Sequence, residues 1–170
     1  MTKDKTNITW KSCAKSQIIN VTKAINLLEN KKVEELIHLL SNEKGDLFFT
    51  GVGKNSHVAR KTASTFSSLG IVSRFICPVE AVHGEMTNLK SDSKIVAISK
   101  SGKTSELVYF LRKTKETKRN ISIIMIHANE NLSSNCDYLD FDLFFNVENE
   151  GHNYGVVPIA SITLFTVFLQ

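Results

Sequence analysis

Residues 95–106 read Ile-Val-Ala-Ile-Ser-Lys-Ser-Gly-Lys-Thr-Ser-Glu, and Leu107-Val108-Tyr109-Phe110 follow at once. A short apolar run with no polar alternation is what a strand buried on both faces requires. Ile121-Ser122-Ile123-Ile124-Met125-Ile126 has the same character, and β-rich runs recur at Leu47–Phe49, Val72–Ile76 and Phe141–Val147. Helix-like segments fill most of the gaps: Lys54–Leu69, Thr104–Lys118 and a short piece at Leu132–Cys136. Strands alternating with helices predict βαβ units, a parallel sheet and an α/β fold.

The rest of the chain fits around that frame. Its 170 residues are within the range of one domain, here read as residues 1–42 carrying two helices and 43–170 the α/β core. The N-terminal part has two apolar stripes of helical spacing, one from Ile18, Ile19, Val21, Ala24, Ile25, Leu27 and Leu28, the other from Val33, Leu36, Ile37, Leu39 and Leu40. These helices are expected to cover the core or to pair with another chain. The last segment, Val156–Gln170, is apolar but shorter than the roughly 20 residues of a membrane span, and reads as a buried helix. Apolar residues at 42% allow a sizeable core, and a net charge of +4 with scattered lysines is weak for a nucleic-acid surface. The three cysteines, Cys13, Cys77 and Cys136, lack zinc-ligand spacing and read as reduced thiols of a cytoplasmic protein. No signal peptide is visible behind Met1.

In an open α/β sheet, ligands gather outside the carboxyl ends of the strands. The stretches to search are therefore 50–56, 77–86, 99–106, 127–131 and 148–155. In the third, Ser99, Ser101, Thr104 and Ser105 offer hydroxyls, and Gly102 lets the backbone turn. The N–H groups of the helix that follows make an anion site suited to a phosphate monoester. A Ser-rich helix cap is the plainer alternative, but a cap uses one hydroxyl and here there are four. Lys103 is expected in the first helical turn, where a cation costs ~0.3–1 kcal/mol unless an anion is bound.

Gly51-Val52-Gly53-Lys54-Asn55-Ser56-His57 is a second loop entering a helix; it has neither a third dinucleotide glycine nor a Walker pattern. It suits the other end of a small polar ligand. Glu80-Ala81-Val82-His83-Gly84-Glu85 places a histidine among acids, positioned for proton transfer if it faces the cleft and otherwise a surface residue. Glu148-Asn149-Glu150-Gly151-His152 offers two glutamates as a base or as solvated loop charges.

Together, Gly51–His57, Ala81-Val82-His83-Gly84-Glu85, Ser99–Glu106 and Glu150–Pro158 resemble, in order and spacing, the sugar isomerase (SIS) domain. The resemblance runs from about residue 15 to the end and is nearest to the arabinose-5-phosphate isomerases of the KpsF/GutQ/KdsD type. It implies a three-layer sandwich with a five-stranded parallel sheet, assembled as a dimer of dimers. It implies interconversion of ribulose 5-phosphate and arabinose 5-phosphate on the way to the octulosonate of lipopolysaccharide or capsule. Phosphate would be held by Ser99, Ser101, Gly102 and Thr104, and the sugar would meet Gly53, Asn55 and Lys100. The catalytic set would be Lys54, His83, Glu106 and Glu150. A base moving a proton between adjacent carbons, with a cation at the enediolate oxygen, needs no metal or organic cofactor. Which of the three acid–base groups takes the proton does not follow from sequence.

The chain departs from the family pattern in three places. Lys100 replaces a neutral polar residue and Lys103 an acid, so phosphate binding should survive or strengthen while sugar specificity shifts. Pro158-Ile159-Ala160-Ser161 has lost a hydroxyl from the usual pattern. The family continues beyond the last helix to a further active-site histidine and often to CBS domains, which this sequence does not contain. A phosphosugar-binding module without turnover, or an isomerase for another sugar phosphate, are the alternatives the same loops allow.

Overall fold

The computed structural model describes residues 9–41, 45–118, 120–132, 136–148, 150 and 160–169. Five parallel strands form one sheet: β1 (Leu47–Gly51), β2 (Ser73–Phe75), β3 (Lys94–Ser99), β4 (Ser122–His127) and β5 (Phe141–Phe144), in the order β2-β1-β3-β4-β5. The expected α/β sandwich with a five-stranded parallel sheet is what the chain adopts. The strands expected from the apolar runs are all present, with ends shifted by a few residues. Around them lie α1 (Trp10–Asn26), α2 (Asn30–Ser41), α3 (Lys54–Ser68), α4 (Pro78–Ala81), a 3₁₀ turn at Glu85–Asn88, α5 (Ser105–Thr117) and α6 (Ala160–Phe168).

The unbroken apolar strands are explained by the two layers of helices. Phe49, Val96, Ile98, Ile124, Ile126 and Leu143 point to the face covered by α1, α2, α3 and α6. Phe48, Ile95, Ala97, Ile123 and Met125 point to the other, covered by α4 and α5. Every residue of β3 is buried. Each enclosed Ile or Phe contributes ~1.5–3 kcal/mol relative to exposure.

Thr9 caps α1 reciprocally: its hydroxyl accepts from the Ser12 N–H at 3.2 Å, and Ser12 Oγ accepts from the Thr9 N–H at 3.1 Å. Of the apolar stripe on α1, only Val21, Ala24 and Leu28 join the core, whereas Ile18, Ile19, Ile25 and Leu27 are exposed. In α6, Leu164 and Phe165 are fully enclosed and Phe145 packs edge-on to Phe165 and Phe168. The start of the expected terminal helix, 156–159, lies outside the described residues.

Two local expectations change. The stretch 77–86, read as a loop, contains α4, because Pro78 sits in the first turn of a helix, where its missing N–H costs nothing. The short helix expected at 132–136 falls mostly outside the described residues; Leu132 and Cys136 themselves are not helical. No helix among the described residues is long and apolar enough to cross a membrane.

Candidate active site

The strand order places the site. β1 connects through α3 to β2 on one side, and β3 connects through α5 to β4 on the other. The carboxyl ends of β1 and β3 lie side by side, with Gly51 paired to Ile98, and both chains turn away from the crevice between them. The two glycine loops, 51–54 and 99–104, therefore leave the sheet at one point.

In the 99–104 loop the hydroxyls first serve the backbone. Ser99 Oγ accepts from the Gly102 N–H and Ser101 Oγ from the Lys103 N–H, each at 3.1 Å. A hydroxyl that accepts still has a proton to donate, and of the two Ser101 is exposed while Ser99 is buried. The loop is also tied to the end of β4: Asn129 Nδ2 donates to the Ser101 carbonyl at 2.8 Å and the Ala128 N–H to the Lys100 carbonyl at 3.0 Å. Gly102 has φ +65°, and a Cβ there would fall 2.6 Å from Leu132 Cδ1. Thr104 is the N-cap of α5, and its own side chain makes no capping hydrogen bond. Of the first-turn N–H groups, that of Glu106 faces its own carboxylate, and the others can meet an anion. Lys103 precedes the N-cap, so the expected cation in the first helical turn is not there.

Gly53, at φ +60°, opens α3, and a Cβ there would meet nothing within 4 Å. Lys54 is the first residue of α3 and is exposed. Asn55 Oδ1 is buried without a hydrogen-bond partner among the described residues, a costly state that a ligand hydroxyl would relieve. His83 is exposed in the turn between α4 and the 3₁₀ segment, and α4 packs against α5. Glu106 lies exposed in the first turn of α5; its own backbone N–H and the Ser105 hydroxyl hold its carboxyl below the usual range.

Glu150 is differently placed. Lys100 Nζ lies 2.8 Å from its Oε1, which also accepts from Ser161 Oγ at 2.8 Å. Its Oε2 accepts from the Ser161 N–H at 3.0 Å, and its carbonyl from Gln17 Nε2 at 3.0 Å. Burial pushes this carboxyl up, but Lys100 and the two Ser161 donors outweigh it and hold the group below the usual range. The structure thus joins Lys100 and Glu150, which the sequence suggested separately. Ser161 and Gln17 were not singled out, since nothing local marks them as partners of a residue after β5. The same is true of His127, whose Nε2 lies 3.1 Å from Asp142 Oδ2 while its Nδ1 accepts from the Asn129 N–H. That pair lies at the turn whose Asn129 holds the 99–104 loop. Among the described residues no group of three His, Cys, Asp or Glu converges as a metal site.

The fold and these loops define a parallel α/β protein with two glycine loops, each leading into a helix, at its switch point. The chain belongs to the SIS domain family, whose pattern matches residues 39–169. It is 31% identical over 137 residues to the Escherichia coli arabinose 5-phosphate isomerase KpsF, covering 81% of this chain and 42% of that protein. It is 33% identical over 129 residues to the Pseudomonas aeruginosa arabinose 5-phosphate isomerase KdsD, covering 76% of this chain and 39% of that one. The chain therefore spans well under half the length of these curated relatives. The structure of E. coli CFT073 c3406 in complex with arabinose 5-phosphate matches with a TM-score of 0.84 at 30% identity, over 94% of this chain and 82% of that one.

Proposed function

We propose that the chain binds a sugar phosphate in the β1–β3 crevice and interconverts ribulose 5-phosphate and arabinose 5-phosphate, supplying octulosonate synthesis for lipopolysaccharide or capsule. The observation that carries this reading is the Ser99–Thr104 loop. It is a glycine-centred turn on a helix terminus that its N-cap side chain leaves open, in a chain similar to a protein whose structure holds arabinose 5-phosphate. In this reading Ser99, Ser101, Gly102 and Thr104 hold the phosphate, and Gly53, Asn55 and Lys100 meet the sugar. A base among His83, Glu106 and Glu150 removes a proton from C1 of the ketose. The enediolate so formed takes a proton at C2, O1 gives up its proton and O2 gains one, so the internal redox change balances. Lys54 stabilises the enediolate oxygen. The protein acts in the cytoplasm as a homo-oligomer, with the exposed apolar side of α1 as a contact surface; a monomer in light scattering would remove that part.

The test is turnover of ribulose 5-phosphate by this chain, with arabinose 5-phosphate resolved from other pentose phosphates. Its formation supports the reading. Saturable phosphosugar binding without turnover supports a non-catalytic SIS module instead. The Lys100–Glu150 contact favours that second reading, because it occupies a carboxylate that could otherwise act as a base. Turnover of another sugar phosphate would keep the site and change the substrate.

A further inference from the structure

Glu150 is the most enclosed of the three proton-transfer candidates: its side chain is 13% exposed, whereas His83 and Glu106 are open to solvent. Both of its carboxylate oxygens carry contacts, three for about four lone-pair sites. Oε1 takes the Lys100 ammonium and the Ser161 hydroxyl, and Oε2 takes the Ser161 N–H. A base must offer a lone pair to a substrate proton and tolerate becoming neutral. Each of these contacts opposes that, since they stabilise the anion. The contacts also bridge three parts of the fold. Lys100 lies between Ser99 and Ser101 of the phosphate loop, Ser161 lies in the first turn of α6, and Gln17 on α1 holds the Glu150 carbonyl.

We propose that Lys100 is a positioning residue that holds Glu150 as a permanent anion, and that Glu150 is the strut joining the phosphate loop to α1 and α6, not the proton carrier. The proposal rests on the isomerase reading only in that it narrows the proton carrier to His83 or Glu106. The contact itself stands without it. The groups facing Glu150 among the described residues are Lys100 from the loop, Ser161 from α6 and Gln17 from α1. Glu148, two positions before it, is exposed and pairs with Lys23 of α1 at 3.9 Å.

The arrangement is asymmetric. Lys100 is 42% exposed and returns to water readily when Glu150 is neutralised. Glu150 without Lys100 is a mostly enclosed charge with no cation. Lys100→Met should therefore destabilise the chain more than Glu150→Gln, and adding Glu150→Gln to Lys100→Met should recover much of the loss. An incidental surface pair would give small, additive effects.

The direct readout is ¹³C NMR titration of labelled glutamate carboxyls, with Glu150 assigned from its loss in Glu150→Gln. Glu150 should titrate below 4.5 in the wild-type chain. In Lys100→Met it should titrate at higher pH than in the wild-type chain, and Lys100→Arg should restore the low value. An unchanged titration in Lys100→Met, or an additive thermal-unfolding cycle, overturns the proposal. Where Lys100→Met fails to fold, Glu150→Gln decides through calorimetric binding of inorganic phosphate and through turnover. A strut predicts weakened phosphate binding. Phosphate affinity unmoved, with kcat down ~10²–10⁴-fold at constant KM, makes Glu150 the proton carrier and overturns the strut. A chain without turnover would still give the titration and the phosphate affinity, so the isomerase reading and this one fail separately.

Discussion

Replacing Gly102 by alanine tests the phosphate loop at its tightest point. Gly102 has φ +65°, where an L residue costs ~1–2 kcal/mol. The new Cβ would lie 2.6 Å from Leu132 Cδ1 and 3.1 Å from Cδ2. These atoms are the end of a flexible side chain, so the clash is relieved by pushing Leu132 out of its rotamer well, at ~0.5–1.5 kcal/mol. The two terms together make roughly 1.5–3.5 kcal/mol. Urea unfolding followed by circular dichroism should show that loss as a lower midpoint with an unchanged slope. In a Leu132→Ala background the clash is gone and the backbone cost stays, so Gly102→Ala should then cost only ~1–2 kcal/mol. Phosphate binding should weaken in both backgrounds, because the turn that sets the Gly102 N–H on Ser99 Oγ is strained. A loss below ~0.5 kcal/mol, the size of an ordinary surface change, would refute a left-handed turn packed under Leu132.

Ser101→Ala combined with Thr104→Ala should weaken phosphosugar binding in calorimetry; unchanged affinity would remove the hydroxyls from the phosphate site. His83→Ala should lower turnover far more than it lowers affinity, and unaltered kcat would leave His83 as a surface residue. Lys103→Ala should weaken phosphosugar binding most at low ionic strength, since an exposed cation acts through screened charge; a salt-independent loss would point to a structural role. Acid should destabilise the wild-type chain more than Glu150→Gln. The Glu150 carboxyl titrates below its ordinary 4.5, so its contribution is complete at neutral pH and is lost as pH falls through the lower folded value. Parallel fall of the two melting temperatures on acidification would contradict this.

The sheet was legible because its strands are buried on both faces. Ile95–Ile98 and Ile121–Ile126 can only be continuously apolar if helices cover both sides, as they do. The N-terminal stripe was legible as helix but not in its facing. At about 100° per residue, Val21, Ala24 and Leu28 fall on one line, Ile18 and Ile25 on another, and Ile19 and Leu27 elsewhere. Hydropathy alone does not choose among lines; the docked position of α1 does. The α4 turn was missed because four residues are too short to show a helical period.

The site divides the same way. Its loops could be read one at a time, since a strand end, a glycine and a helix start are contiguous in the chain. Contacts between loops could not. In sequence Lys100 reads as a sugar contact and, with Lys103, as added positive charge in the loop. The fold sets Lys100 against Glu150, fifty positions further on, and that changes the meaning of both lysines. Lys100's charge is already matched by a carboxylate that is itself held at the start of α6. Lys103 is in no ion pair among the described residues and stands exposed beside the N-terminus of α5. A phosphate dianion arriving at the loop would therefore draw on Lys103 and the α5 N–H groups for new electrostatic attraction. From Lys100 it would gain chiefly a loop already held in place. On this balance the two departures from the family pattern are not equivalent: one charge is spent on architecture and the other is left for the ligand.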